Sequence, residues 1–144
     1  MSDRDQEHLG SLFALEVEGV ELARFTGCSG LSWSTEVVTV QSTDISGRVV
    51  TQKRPGRTTY DDIVLKRGLS GNADLTDWYE SVKKGSVERH NGSIVIYDPA
   101  GTETDRWNFE SGWPSRWSAS DLDAGTDDMV IEELTITHEF LERT

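Results

Sequence analysis

The segment Gly27-Cys28-Ser29-Gly30-Leu31 sets a thiol and a hydroxyl side by side between two glycines. A nucleophile elbow needs Gly-x-Ser-x-Gly on a turn from strand to helix, which holds the nucleophile clear of the backbone. Here residue 31 is leucine and both flanks alternate like strands, so nucleophilic catalysis is not supported. The three histidines, His8, His90 and His138, fall in the N-terminal segment, a turn and the last strand, and no pair has metal-ligand spacing. Asp121, Asp123, Asp127 and Glu132 match positions 1, 3, 7 and 12 of a calcium loop. Thr126 stands where that loop requires glycine, however, and Asp128 where it requires an apolar residue. A solvated acidic loop is the simpler reading. Neither a Walker A pattern nor Gly-x-Gly-x-x-Gly occurs, and among 26 acids a pair of carboxylates carries no information. No catalytic residue, cofactor or metal is expected, and the chain does not read as an enzyme.

One cluster stands apart. Lys53-Arg54-Pro55-Gly56-Arg57 is the only basic run in a chain with 14 Lys and Arg against 26 Asp and Glu, net −12. It closes a long polar stretch, 41–59, whose large apolar residues are Ile45, Val49 and Val50. A loop of this length in a compact domain is usually functional or mobile. Its cations suit acidic neighbours such as Asp44, Glu36 or the 121–128 stretch across an interface. Pro55-Gly56 is expected to set its turn.

Composition bounds the function classes. A charge of −12 repels phosphate backbones and anionic lipid, which disfavours nucleic-acid or membrane-surface binding. Five Trp, four Phe and three Tyr argue for a packed core. The single cysteine excludes an internal disulfide. Without an apolar run of signal-peptide or membrane-spanning length, the chain is expected to be made in the cytoplasm, without a signal peptide or membrane anchor. The length of 144 residues suits one domain: residues 1–10 as a flexible arm and 11–144 as a single β domain.

The elements that must carry these residues are mostly strands. Leu12 to Val17 and Val20 to Phe25 alternate around Glu18-Gly19, a hairpin. Leu31 to Val40 and Tyr60 to Lys66 alternate likewise. Leu75, Trp78, Tyr79 and Val82 form one apolar stripe of a helix over 73–84, capped by Asn72 and stopped by Gly85. Val87 to Tyr97 reads as two strands joined at Asn91-Gly92. Asp98-Pro99-Ala100-Gly101 is a turn, followed by stretches at 106–110 and 113–118 and a long final strand, 129–140. The fold class is therefore mainly β: two packed antiparallel β-sheets, sandwich or barrel-like, with one flanking α-helix.

The pieces also resemble a known family. Phe13-Ala-Leu-Glu-Val-Glu-Gly19, Phe25-Thr-Gly-Cys-Ser-Gly-Leu31, Lys53-Arg-Pro-Gly56 and Tyr60 with Ile63-Val-Leu-Lys-Arg-Gly68 come first. Leu75 to Trp78-Tyr79, Arg89-His-Asn-Gly-Ser-Ile94, Trp107-Asn-Phe109, Trp113-Pro114 and Glu133-Leu-Thr-Ile-Thr-His-Glu139 follow in order. Together they resemble the inner-tube proteins of contractile injection systems, the phage tail tube protein family. The resemblance implies homohexameric rings stacked into a hollow conduit. It also implies a sheath protein as partner, baseplate or hub and tail-terminator proteins at the ends, and protein cargo in the lumen. The particle would act as a phage tail or an extracellular injection device. In that family a long loop between early strands contacts the next ring, which places Asp44, Lys53, Arg54, Pro55, Gly56 and Arg57 at a ring-stacking interface. The alternative is a monomeric β-sandwich binding module with a ligand loop at 41–59.

Overall fold

The computed structural model describes residues 12–68, 75–86, 88–120 and 130–144. The expectations placed on 1–10, on Asn72, on Val87 and on the acidic stretch 121–128 fall outside these residues. Within them the chain forms ten strands and one helix. In order these are β1 (Leu12–Val17), β2 (Val20–Phe25), β3 (Gly27–Ser29), β4 (Trp33–Thr43), β5 (Val49–Tyr60), β6 (Ile63–Gly68), α1 (Thr76–Lys83), β7 (His90–Tyr97), β8 (Glu103–Ala119), β9 (Ile131–Thr137) and β10 (Phe140–Arg143).

Local chemistry accounts for the first elements. Glu18 and Gly19 both take positive φ, 52° and 81°, the backbone twist a tight two-residue hairpin needs between β1 and β2. α1 begins at Thr76 rather than at 73, with Leu75 at its N-cap and no side-chain cap; Leu75 and Trp78 are buried, and Tyr79 packs against the core. The Trp78 indole N–H donates to the Glu88 carbonyl at 3.0 Å, so its one polar atom is satisfied. Gly85, at φ 83°, ends the helix with its N–H on the Val82 carbonyl.

All pairings are antiparallel. One path runs β2-β1-β7-β8-β9-β6-β3, with β10 added to β8, and β4-β5 forms a separate ribbon. The path divides into two layers because β8, at 17 residues, belongs to both. Its first half pairs with β7 and β10, and its second half pairs with β9. The layers close over a common core: Leu15, Phe25, Ile94, Phe109 and Leu141 meet Ile63, Leu65, Leu134 and Ile136, with Leu75 and Trp78 from the helix. This is the expected pair of packed sheets with a flanking helix, sandwich-like and not closed into a barrel.

Three sequence expectations change. The stretches at 106–110 and 113–118 are one bent strand, and the final strand is two, broken at His138-Glu139. The two bends answer each other: as β8 turns at Ser111 (φ 53°), its partner crosses from β9 to β10, and the Glu139 N–H holds the Glu110 carbonyl at 3.0 Å. Asn91-Gly92 is not a hairpin turn but an irregularity inside β7. Its glycine answers to packing. A Cβ on Gly92 would lie 2.5 Å from Phe109 Cζ, and one on Gly112 would lie 2.3 Å from Phe109 Cε1. The Phe109 ring occupies the space that both glycines leave open.

This arrangement predicts coupling. Phe109→Ala costs about 3–5 kcal/mol, and Gly112→Ala costs about 1–3 kcal/mol by overpacking. In the Phe109→Ala background the Gly112→Ala penalty falls by at least half, because the colliding ring is gone. Urea denaturation of the four proteins in this cycle measures it.

Candidate assembly interface

The stretch 41–59 is not a loop. It is the greater part of a two-stranded ribbon, β4 with β5, whose residues are almost all exposed on both faces. Strands of 11 and 12 residues reach roughly 35 Å at about 3.3 Å per residue. Val, Thr and Ser dominate, so the backbone preference is for strand. From 41 to 59 polar residues occupy both faces, and neither face packs on a core. That is why period-two analysis reads the segment as a loop.

The turn lies at 44–48 rather than at Pro55-Gly56. Asp44 Oδ1 accepts from the Ser46 N–H at 2.9 Å, the Ser46 hydroxyl at 2.6 Å and the Arg48 N–H at 2.9 Å. Gly47 takes φ 83° and donates to the Asp44 carbonyl at 3.0 Å. The hydroxyl of Ser46, then the Arg48 amide, hold the Asp44 carboxyl below its ordinary range. The same Asp-x-x-Gly design closes β7 to β8: Asp98 Oδ1 takes the Thr102 N–H at 2.8 Å, and Gly101 has φ 85°. Pro99 makes that second turn legible in sequence, and the spacing it shares with Asp44-Ile45-Ser46-Gly47 is the signal that finds the first.

Pro55 and Gly56 sit within β5. Pro55 pairs with Val37, Thr58 with Thr35, so Gly56 and Arg57 together oppose Glu36 in a bulge. A Cβ on Gly56 would meet Val38 Cγ2 at 2.9 Å, so glycine lets the strands close there. At the neck, a Cβ on Gly30 (φ 88°) would lie 1.8 Å from the Asp62 carbonyl oxygen. The Ser32 hydroxyl bonds the Asp61 carboxylate across that neck. Tyr60 packs on Phe140, ring centroids 5.6 Å apart, and His138 Nε2 lies 2.9 Å from the Asp61 carbonyl oxygen.

Of the expected interface residues, Lys53, Arg54, Pro55, Gly56 and Arg57 share one stretch of β5, while Asp44 is at the tip. The Arg54 guanidinium reaches only Gln52 Oε1, at 3.0 Å, and Lys53 and Arg57 make no ion pair among the described residues. The arm from 33 to 60 carries four cations and two carboxylates, leaving −14 on the rest of the chain. Its apolar residues are also bare: Trp33 is 60% exposed, Val37 62%, Val49 62%, and Ile45 fully.

This combination leaves apolar side chains and cations of the ribbon open to solvent. An isolated two-stranded ribbon is marginal in water, and both its edges carry open backbone donors and acceptors. The arm and the rest of the chain carry net charges of opposite sign.

The other motifs are structural. Burial pushes the Cys28 thiol up to about 12, far from a reactive thiolate. Both Glu132 oxygens are engaged: Oε2 accepts from Arg67 Nε at 2.9 Å and Oε1 from Trp117 Nε1 at 2.8 Å. That removes Glu132 from the calcium frame; Asp121, Asp123 and Asp127 lie outside the described residues. Among the described residues no group of three or more His, Cys, Asp or Glu side chains could hold a metal. No helix among them is long and apolar enough to cross a membrane.

Comparison with known proteins agrees with this geometry. The family described as T4-like virus tail tube protein gp19 matches residues 10–142. No curated protein matches in sequence. A chain from the PVC extracellular contractile injection system, solved as the sheath–tube complex in the extended state, superposes with a TM-score of 0.71. It is 25% identical, over 92% of this chain and 87% of that one. A chain from the tube-terminating cap of the anti-feeding prophage gives a TM-score of 0.69 at 21% identity, over 92% and 87% of the two chains. Hcp1 from Flavobacterium johnsoniae shares the fold at 19% identity and a TM-score of 0.54, over 92% and 94%.

The tip geometry predicts acid sensitivity. The Asp44 carboxyl is depressed, so its contribution is complete above the ordinary carboxylate range and is lost as pH falls through its lower folded value. An NMR titration should place the Asp44 midpoint below that of a free aspartate. Asp44→Ala should speed hydrogen exchange at the Ser46 and Arg48 amides without shifting exchange in β6 or β9. A normal Asp44 midpoint would show that the tip is not held as described.

Proposed function

The chain belongs to the T4-like virus tail tube protein family, and from that premise we propose that it is the inner-tube subunit of a contractile injection particle or phage tail. Six copies form a ring, rings stack into a hollow conduit, and contraction of a surrounding sheath drives the tube through a target envelope to deliver cargo. Sheath, baseplate and terminator proteins are its partners. The role is structural and needs no catalytic group.

The observation that carries this reading is the arm: a ribbon of 11- and 12-residue strands with open edges, bare apolar residues and a net positive charge on an acidic body. A monomer gains nothing from such an element, since it buries little and leaves a sticky edge. In a ring-stack the same edges and cations meet the next copy. Lys53, Arg54 and Arg57 are the residues assigned to that contact.

Negative-stain electron microscopy of the concentrated protein tests it. Hollow six-fold rings and stacks are expected. The triple substitution Lys53→Glu, Arg54→Glu and Arg57→Glu should abolish stacking and leave the melting temperature of the body unchanged, because all three side chains are exposed. Stacks that persist in the triple variant would remove the basic residues from the contact. A monomer at every concentration, absent also from sheathed particles of the native host, would favour the monomeric binding module instead.

A further inference from the structure

The tip of the arm carries an exposed Ile45 between Asp44 and Arg48, and one hollow of the body is lined by apolar and acidic residues. Ile45 stands at the summit of the turn, fully exposed, on a backbone clamped by the three bonds to Asp44 Oδ1. A clamped turn holding a bare aliphatic side chain presents a rigid apolar knob. Three residues on, Arg48 makes no ion pair among the described residues.

The hollow lies between the β1–β2 turn and α1. Val17, Val20, Leu22 and Trp78 line it, and it offers about 340 Å³. Val20 is 67% exposed, so part of the lining is open apolar surface. Asp77, Glu88 and His90 complete its lining. Asp77 makes no ion pair among the described residues, while Glu88 shares His90 at 3.4 Å.

We propose that the arm tip of one copy docks in this hollow of the next copy, Ile45 entering between Val20 and Trp78 while Arg48 meets Asp77 and Glu88. The inference rests on the tube reading and deepens it by naming the receiving surface. Knob and hollow occupy different parts of the chain, so the contact is heterologous and propagates from copy to copy. An apolar knob within a ring of opposite charges is also the arrangement that gives a small contact both affinity and register. The arm's length separates the tip from its own body, which leaves the tip for another copy.

Site-directed cross-linking tests this. In a Cys28→Ala background, Ile45→Cys and Val20→Cys are made in separate, differently tagged proteins, mixed under assembly conditions and oxidised. A disulfide-linked pair carrying both tags is expected, and neither variant alone should give it. Ile45→Asp should raise the concentration needed for stacking about tenfold or more, since burial of one aliphatic side chain is worth that in an association constant. Arg48→Asp should weaken stacking similarly, and combining it with Asp77→Arg should recover at least part of the loss. Stacks that form normally with Ile45→Asp, together with no mixed disulfide, overturn this contact and leave the tube reading standing. Failure of the unmodified protein to assemble, alone or in sheathed particles, overturns both.

Discussion

The Phe109 ring is the piece on which the two-layer body depends. It lies against Gly92 on β7 and Gly112 on β8, at distances that admit no Cβ on either. The chain can therefore bend at Ser111-Gly112 with a buried ring packed inside the bend. Because β8 bends, its first half stays with β7 and β10 and its second half leaves with β9. One 17-residue strand thereby builds two sheets facing each other across a single core. Without the bend, the same strands would form one flat sheet with an exposed apolar face.

The far layer is held by charge as well as by packing. Arg67 and Glu132 sit directly opposite each other on β6 and β9 and are buried, 8% and 5% exposed. Two charges taken from water are costly unless their remaining atoms find partners. Trp117 supplies a donor to Glu132 from β8, and the Arg67 guanidinium lies 5.1 Å from the centre of the Phe25 ring. Three neighbouring strands and the edge of β2 are thus tied to one carboxylate, which secures their register as well as their stability. A one-residue slip would separate Arg67 from Glu132 and turn Leu134 and Ile136 toward solvent.

The arm obeys the opposite logic. Ser34 with Thr59 and Thr35 with Thr58 are small polar cross-strand pairs, the latter at 2.8 Å, and its large apolar residues are left bare. Beyond the strand ladder, its firmest local contacts lie at the ends, in the Asp44 turn and the neck at Gly30 and Asp61. Such an element buries little within its own chain. In the proposed tube assembly its completion is assigned to another copy of the chain.

Much of this was legible in the sequence. Alternation at 12–17 and 20–25 with Glu18-Gly19 between determined the first hairpin, since only one register buries Leu15 and Phe25 while two positive φ values close the turn. The stripe from Leu75 to Val82 determined a helix and the face it buries. The ordered motifs determined the family. The tertiary structure alone decided three things, each for one reason: a long-range contact overrode a local signal. Asn91-Gly92 reads as a turn until Phe109 claims the space above its glycine. The final strand reads as continuous until β8 bends and draws β10 away from β9. The stretch 41–59 reads as a loop because strand periodicity records burial on one face, and an arm solvated on both faces leaves no such record.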